Sequence, residues 1–255
     1  MLYYEEYGNQ EKETVILIHG LATSSWVWWQ QIEALKDYHV IAIDLPGHGN
    51  SADIPWISLE DVAKQIKTQI VKDKKVHLIG VSLGGHVALD FSKYYLENTA
   101  STYISGITVR PMSGKIFMPL VSRYYVRMLK NEDNLIKMAR QYNVPSNKVQ
   151  EFKSTAQSLS REDVATLGLE IMRFNFDDSY SHIKAPMKIV CGDQEEKSIQ
   201  DSLIAIPKII QTASSESIPN AQHQWPIQKP EQFNQRMLAW LEDNNISTQQ
   251  KRQIT

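Results

Sequence analysis

A single cysteine, Cys191, in 255 residues leaves no internal disulfide to hold the chain together, which fits a reducing compartment. No apolar run approaches the ~20 residues that span a bilayer, so no transmembrane helix is expected. Neither sign of charge is in excess. The 27 basic and 29 acidic residues give a net charge of −2, which argues against nucleic acid as a partner. Residues 1–6 lack the basic and then apolar regions of a signal peptide, and the expectation is a cytoplasmic protein. Internal repeats, low-complexity stretches and His/Cys clusters at metal-ligand spacing are missing too. Neither a metal nor an organic cofactor is implied.

What is present suffices for a large core: 42% of residues are hydrophobic and 22% charged. Short apolar runs at 14–19, 39–44 and 76–81 read as strands of a parallel sheet covered on both faces. A weaker strand is expected at 2–7, ahead of Gly8-Asn9, and another at 103–109. Helical patterns lie between them. Ser24 or Ser25 is placed to cap a helix from Trp26 to Leu35, whose tryptophans cannot all face one way. Ser58, with Asp61 three residues on, precedes Leu59, Val62, Ile66 and Ile70 at helical spacing. Strand–helix alternation of this kind makes a parallel sheet whose ligands sit outside the carboxyl ends of the strands.

The centre of the pattern is the strand 76–81 running through Gly80-x-Ser82-x-Gly84 into a helix. A serine on so sharp a turn has its hydroxyl lifted off the sheet, and glycines on either side let the backbone pack tightly enough to make it. Two further motifs follow strands: His19-Gly20-Leu21, and Asp44-Leu45-Pro46-Gly47-His48-Gly49-Asn50-Ser51. With these three motifs in order, the chain resembles the α/β-hydrolase superfamily, in the manner of a capped, esterase- or lipase-like serine hydrolase. That resemblance implies about seven mostly parallel strands with helices on both faces. It makes Ser82 the nucleophile and the backbone N–H groups of Leu21 and Leu83 the oxyanion-hole donors. Asp44, His48 and His19 read as architecture.

Between 113 and 182 no strand is expected. Helical periodicity occupies 116–130, 132–142, 147–159 and 161–174, with Pro145 as a break and Ser160/Asp163 as a capping signal. The resemblance makes 113–182 a helical cap inserted into a core of 1–112 and 183–255. Its early part, from Met112 through Phe117, Met118, Tyr124, Tyr125 and Met128 to Met138 and Tyr142, is rich in Met and aromatics and suits an apolar acyl substrate.

Two more catalytic positions are implied downstream. The superfamily carries its acid on the loop after the strand 186–192, commonly Asp in a Gly-x-x-Asp pattern. Here Gly192-Asp193-Gln194-Glu195 puts Glu195 at that spacing, with Asp193 the alternative if the loop is shifted. A helix at 198–210 should kink or end at Pro207. A strand at 215–218 is followed by His223, the one histidine after both Ser82 and the acid loop, and then by a helix opening at Pro230. His86 is the local rival. The tail 247–255 is polar and expected to be loose.

The implied reaction is hydrolysis of a carboxylic ester or thioester with a small, mostly apolar acyl group, through a Ser82–His223–Glu195 triad. The same triad serves C–C bond, lactone and amide hydrolases and cofactor-free perhydrolases. A ligand-binding signalling protein that keeps a slow triad is the alternative of another class. Oligomeric state is silent.

Overall fold

The computed structural model describes residues 1–111 and 114–246. Met112, the boundary expected between 112 and 113, and the tail 247–255 lie outside the described residues.

Seven strands form one sheet in the order β1-β3-β2-β4-β5-β6-β7. They are β1 (Tyr4–Tyr7), β2 (Thr14–Ile18), β3 (His39–Ile43), β4 (Val76–Val81), β5 (Thr99–Ser105), β6 (Met187–Gly192) and β7 (Ala213–Ile218). Only β1 runs antiparallel, against β3; every other neighbour pair is parallel. The reversal between β2, which lies inside β3, and the outward march from β4 to β7 creates a switch point at the carboxyl ends of β2 and β4. His19-Gly20 and Ser82 follow those two ends directly.

The helices of the core are α1 (Trp29–Ala34), α2 (Leu59–Ile66) and α3 (Leu83–Tyr94). Four more lie between β5 and β6: α4 (Met118–Leu129), α5 (Glu132–Gln141), α6 (Val149–Ser158) and α7 (Arg161–Arg173). The chain then adds α8 (Lys197–Gln200), α9 (Ser202–Ile209), α10 (Trp225–Gln228) and α11 (Pro230–Asp243). Two apolar clusters cover the sheet. One packs α2, α3 and α9 on one face through Leu59, Val62, Val87, Phe91 and Ile206. The other joins α11 to the opposite face through Phe233, Met237 and Leu241, and it continues into the insertion through Phe152 and Leu135.

Local signals explain the helix starts. Ser58 Oγ accepts from the Asp61 amide at 3.1 Å, and Ser160 and Asp163 form a reciprocal capping box. Helix α7 is fastened to the core because Glu170 accepts from the Trp56 indole and, at 2.6 Å, from the Leu59 amide.

Four expectations are corrected. The strand expected at 103–109 is β5, Thr99–Ser105. Its early half is polar yet buried, because Ser101 bonds His77 and Thr102 bonds Ser92. It stops at Gly106, whose φ of +71° is incompatible with extended pairing. The helix expected from Trp26 begins as a 3-10 turn, Ser25–Trp28, and becomes α-helical at Trp29. Neither serine caps it: Ser24 Oγ meets Thr155 Oγ1 at 3.2 Å, and the Ser25 amide donates to Asp44 at 2.7 Å. Pro207 lies inside α9, and the break falls earlier, at Asp201. The helix ends two residues beyond Pro207, so few intrahelical bonds are lost to it. Finally, β7 starts at Ala213 rather than Ser215.

One buried charge stands apart from the site. Tyr180 Oη donates to Asp90 Oδ1 at 2.7 Å, beneath α7, while Lys93 lies over the Tyr180 ring. Burial pushes the Asp90 carboxyl up to about 6, against the lowering effects of Tyr180 and Lys93. The folded chain therefore keeps a proton that the unfolded chain releases near pH 4. The stability this group contributes is full below about pH 4 and is lost as pH rises through about 6, about 3 kcal/mol in all. Urea unfolding at several pH values should show Asp90→Asn gaining on wild type by about that amount between about pH 4 and 7.

Candidate active site

Ser82 sits between β4 and α3 with φ +53° and ψ −118°, a region that costs a non-glycine residue about 1–3 kcal/mol. Surrounding contacts impose it. The Ser82 amide donates to Ser105 O at 2.8 Å, and its carbonyl accepts from the amides of Gly85 and His86. A Cβ on Gly80 would lie 2.3 Å from Gly84 O, and one on Gly84 would lie 2.1 Å from Ile18 O. Any larger residue at either place would push the turn open.

The loop after β2 runs against this turn, where a Cβ on Gly20 would be 3.3 Å from Ser82 Cβ. That loop is held from behind. His19 Nε2 accepts from the Leu45 amide at 2.9 Å, and its Nδ1 lies 2.8 Å from Gly20 O. Asp44 accepts from the amides of Ser25 and Asn50, which ties the loop to the turn after β3. Asp44, His19 and His48 are thus buried architecture. The amide of Leu83 directly follows Ser82 in the chain, and the amide of Leu21 follows Gly20 in the loop that runs against Ser82. Among the described residues neither has a hydrogen-bond acceptor, as expected for a loop and for the first turn of a helix.

His223 follows β7 and meets the loop after β6. Its Nδ1 lies 2.6 Å from Glu195 Oε2, and Glu195 Oε1 accepts from the Gly192 amide at 2.8 Å. The Glu195 carboxylate is buried, whereas the imidazole is 37% exposed. Asp193 points elsewhere: its Oδ1 accepts from the Ala221 amide at 3.3 Å, bracing the loop that carries His223. Trp225 Nε1 donates to Ser105 Oγ at 2.9 Å and anchors the other side of that loop. Of the two acids weighed from the sequence, the fold brings Glu195 to the imidazole.

His86 is not placed like His223. Its ring is buried between the carbonyls of Thr108, at 2.8 Å, and Ser82, at 3.1 Å, and edge-on to Phe174. Burial lowers it to about 4, and burial lowers His19 to about 3, so both stay neutral near pH 7. Cys191 is buried in β6 with its thiol pushed up to about 12 by burial, far from thiolate chemistry.

Two cavities meet at Ser82. The smaller, about 200 Å³, is bounded by Ser82 and His223 with Thr23, Gln31, Tyr125 and Gln224 on its polar side and Val27, Trp28, Pro226 and Ile227 on its apolar side. No hydrogen bond joins Ser82 Oγ to His223 among the described residues; such bonds are often long in the free state and tighten around substrate. The larger, about 510 Å³, lies under the insertion and is lined by Phe117, Met118, Val121, Leu167, Ile171 and Met172. Gln31 is held for its place by Asn234 Oδ1 at 2.9 Å. The sequence reading assigned nothing to Gln31, Thr23 or Gln224, and no motif marks them: each is a lone polar residue whose position depends on how α1 and α10 pack. Trp28 borders the smaller cavity, while Trp26 turns into the core against Phe152.

The geometry has counterparts. A model of the alpha/beta hydrolase family matches residues 15–236. An (E)-2-((N-methylformamido)methylene)succinate hydrolase from Acinetobacter baylyi is 25% identical over 94% of this chain and 94% of its own length. An AB hydrolase superfamily protein from Gibberella zeae is 27% identical over 47% of this chain, and the match spans under half, 43%, of that longer protein. A thermophilic esterase from Thermogutta terrifontis shares the fold with a TM-score of 0.75 at 24% identity, covering 95% of this chain and 93% of that one. With the family match running from β2 to β7 through the elbow, this chain belongs to the alpha/beta hydrolase family.

Proposed function

We propose that the chain hydrolyses a carboxylic ester or thioester with a small, mostly apolar acyl group, using Ser82, His223 and Glu195. The observation that carries the reading is the 2.6 Å contact from His223 to a buried Glu195, at an imidazole that borders the same cavity as Ser82. His223 takes the Ser82 proton as the oxygen attacks the carbonyl carbon. The amides of Leu21 and Leu83 stabilise the oxyanion, each worth about 3 kcal/mol in the transition state. Glu195 holds the Nδ1–H tautomer and steadies the imidazolium. Collapse of the tetrahedral adduct breaks the ester bond, and His223 gives its proton to the leaving oxygen or sulfur. A water, deprotonated by His223, then attacks the acyl-enzyme and frees the acid and Ser82.

Proton return assigns the two cavities. The leaving group must lie beside His223, hence in the smaller and more polar of the two, and the acyl group takes the more apolar one under the insertion. At about 510 Å³ the latter falls within the range of small-molecule sites, about 300–1,000 Å³. In this reading the insertion of four helices is a cap. Turnover of p-nitrophenyl esters should rise by about fourfold in kcat/KM per added methylene until the cavity is filled. Flat turnover with chain length would overturn the acyl assignment. Labelling of Ser82 by a fluorophosphonate with negligible turnover of esters and thioesters would favour the ligand-binding alternative.

A second reading, amide hydrolysis, draws on the Acinetobacter baylyi relative, whose name specifies an N-methylformamido succinate derivative. It predicts faster cleavage of anilides than of matched esters. Among the described residues no Lys or Arg lines the apolar cavity, which disfavours a dicarboxylate in that position. The buried Cys191 suits a reducing cytoplasm, and we place the protein there; no described helix is long and apolar enough to cross a membrane.

A further inference from the structure

Helix α4 is apolar on two sides. Met118, Val126 and Leu129 are buried against the rest of the insertion, which is the face any amphipathic helix covers. The outer face should then be polar. Instead Leu120, Val121 and Tyr124, together with Ile116 and Phe117 of the 3-10 turn Lys115–Phe117 that leads into α4, form a stripe at helical spacing, exposed from 50% at Val121 to 83% at Ile116. Five large apolar side chains together in solvent form a patch that solvent-facing surfaces seldom carry. The charge around it is one-sided. Residues 115–130 hold Lys115, Arg123, Arg127 and Lys130 and no acid, in a chain whose net charge is −2. All four cations are exposed, and Arg161 from α7 lies across the same helix, donating to Pro119 O at 3.1 Å. The stripe is also continuous with the site, since Phe117 and Val121 line the apolar cavity that reaches Ser82.

We propose that the outer face of α4 docks on an anionic lipid surface. Apolar side chains inserted at the interface, with cations at headgroup level, are what such a surface accommodates, and tyrosine suits the boundary between them. Phe117 and Val121 then connect the docked face to the cavity, so an acyl chain leaving the lipid layer has an apolar path inward. That last step rests on the hydrolase reading; the docking does not.

The test is co-sedimentation of the whole chain carrying Ser82→Ala, which needs no turnover, with phosphatidylcholine vesicles with and without phosphatidylglycerol. Binding is expected to the anionic vesicles and to weaken with salt. Arg123→Gln with Arg127→Gln should lower partitioning on the order of thirty-fold, about fivefold per charge. Leu120→Asp with Tyr124→Asp should abolish it. In the Ser82 background neither pair should change turnover of a soluble short-chain ester, because none of these side chains lines a cavity at Ser82. Equal vesicle binding by wild type and the Leu120→Asp/Tyr124→Asp pair would overturn the proposal. So would no vesicle binding together with a dimer, seen by sedimentation equilibrium, that Leu120→Asp dissolves: a second copy would then cover the stripe.

Discussion

Ser82→Ala is expected to lower kcat on a turned-over ester by roughly four to six orders of magnitude, as loss of a triad nucleophile does elsewhere. The variant should stay folded. Alanine keeps the Cβ that the turn already accommodates at φ +53°, and Ser82 is held by its backbone amide and carbonyl rather than by its hydroxyl. Its thermal midpoint should therefore lie within a few degrees of wild type, since a surface-like change of ~0.5 kcal/mol moves it little. Fluorophosphonate labelling should vanish with activity. Retained turnover in a folded Ser82→Ala chain would mean that another group performs the chemistry.

Glu195→Gln is expected to cost about 10⁴ in kcat, because an amide can present an N–H to His223 Nδ1 and favour the wrong tautomer. The contact it perturbs is 2.6 Å long and its carboxylate is buried, so solvent cannot take over the role. Asp193→Asn is the matched control. It touches the amide of Ala221 and not the imidazole, so kcat should fall less than about tenfold, with a stability loss of about 1 kcal/mol from the weakened brace. The two variants are best compared as kcat and unfolding midpoint side by side. If Asp193→Asn abolished turnover while Glu195→Gln did not, the acid would be misassigned.

The elbow was legible because its signature is local: a strand, two glycines and a helix lie next to one another in the chain and mark the turn, while contacts from β5 and β2 hold its strain. The capping signals at Ser58 and Ser160 were legible for the same reason. The start of β5 was not, because its buried Ser101 and Thr102 depend on partners at His77 and Ser92 that belong to other elements. The same holds for Ser24, which looks like a cap in sequence but spends its hydroxyl on Thr155, 131 residues away.

Local residue order thus determined the alternation of strands and helices, the place of the Ser82 elbow and the one histidine that follows both it and the acid loop, since each is a property of order along the chain. Which of two acids reaches that histidine depends on how the loop after β6 lies against the loop after β7, and these are 28 residues apart. The division of the space at Ser82 into a smaller, more polar cavity and a larger, more apolar one is likewise set by α1, α10 and the insertion converging from distant parts of the chain. The bare outer face of α4 is tertiary information too: its apolar residues look like core until the packing shows which side of the helix was left uncovered.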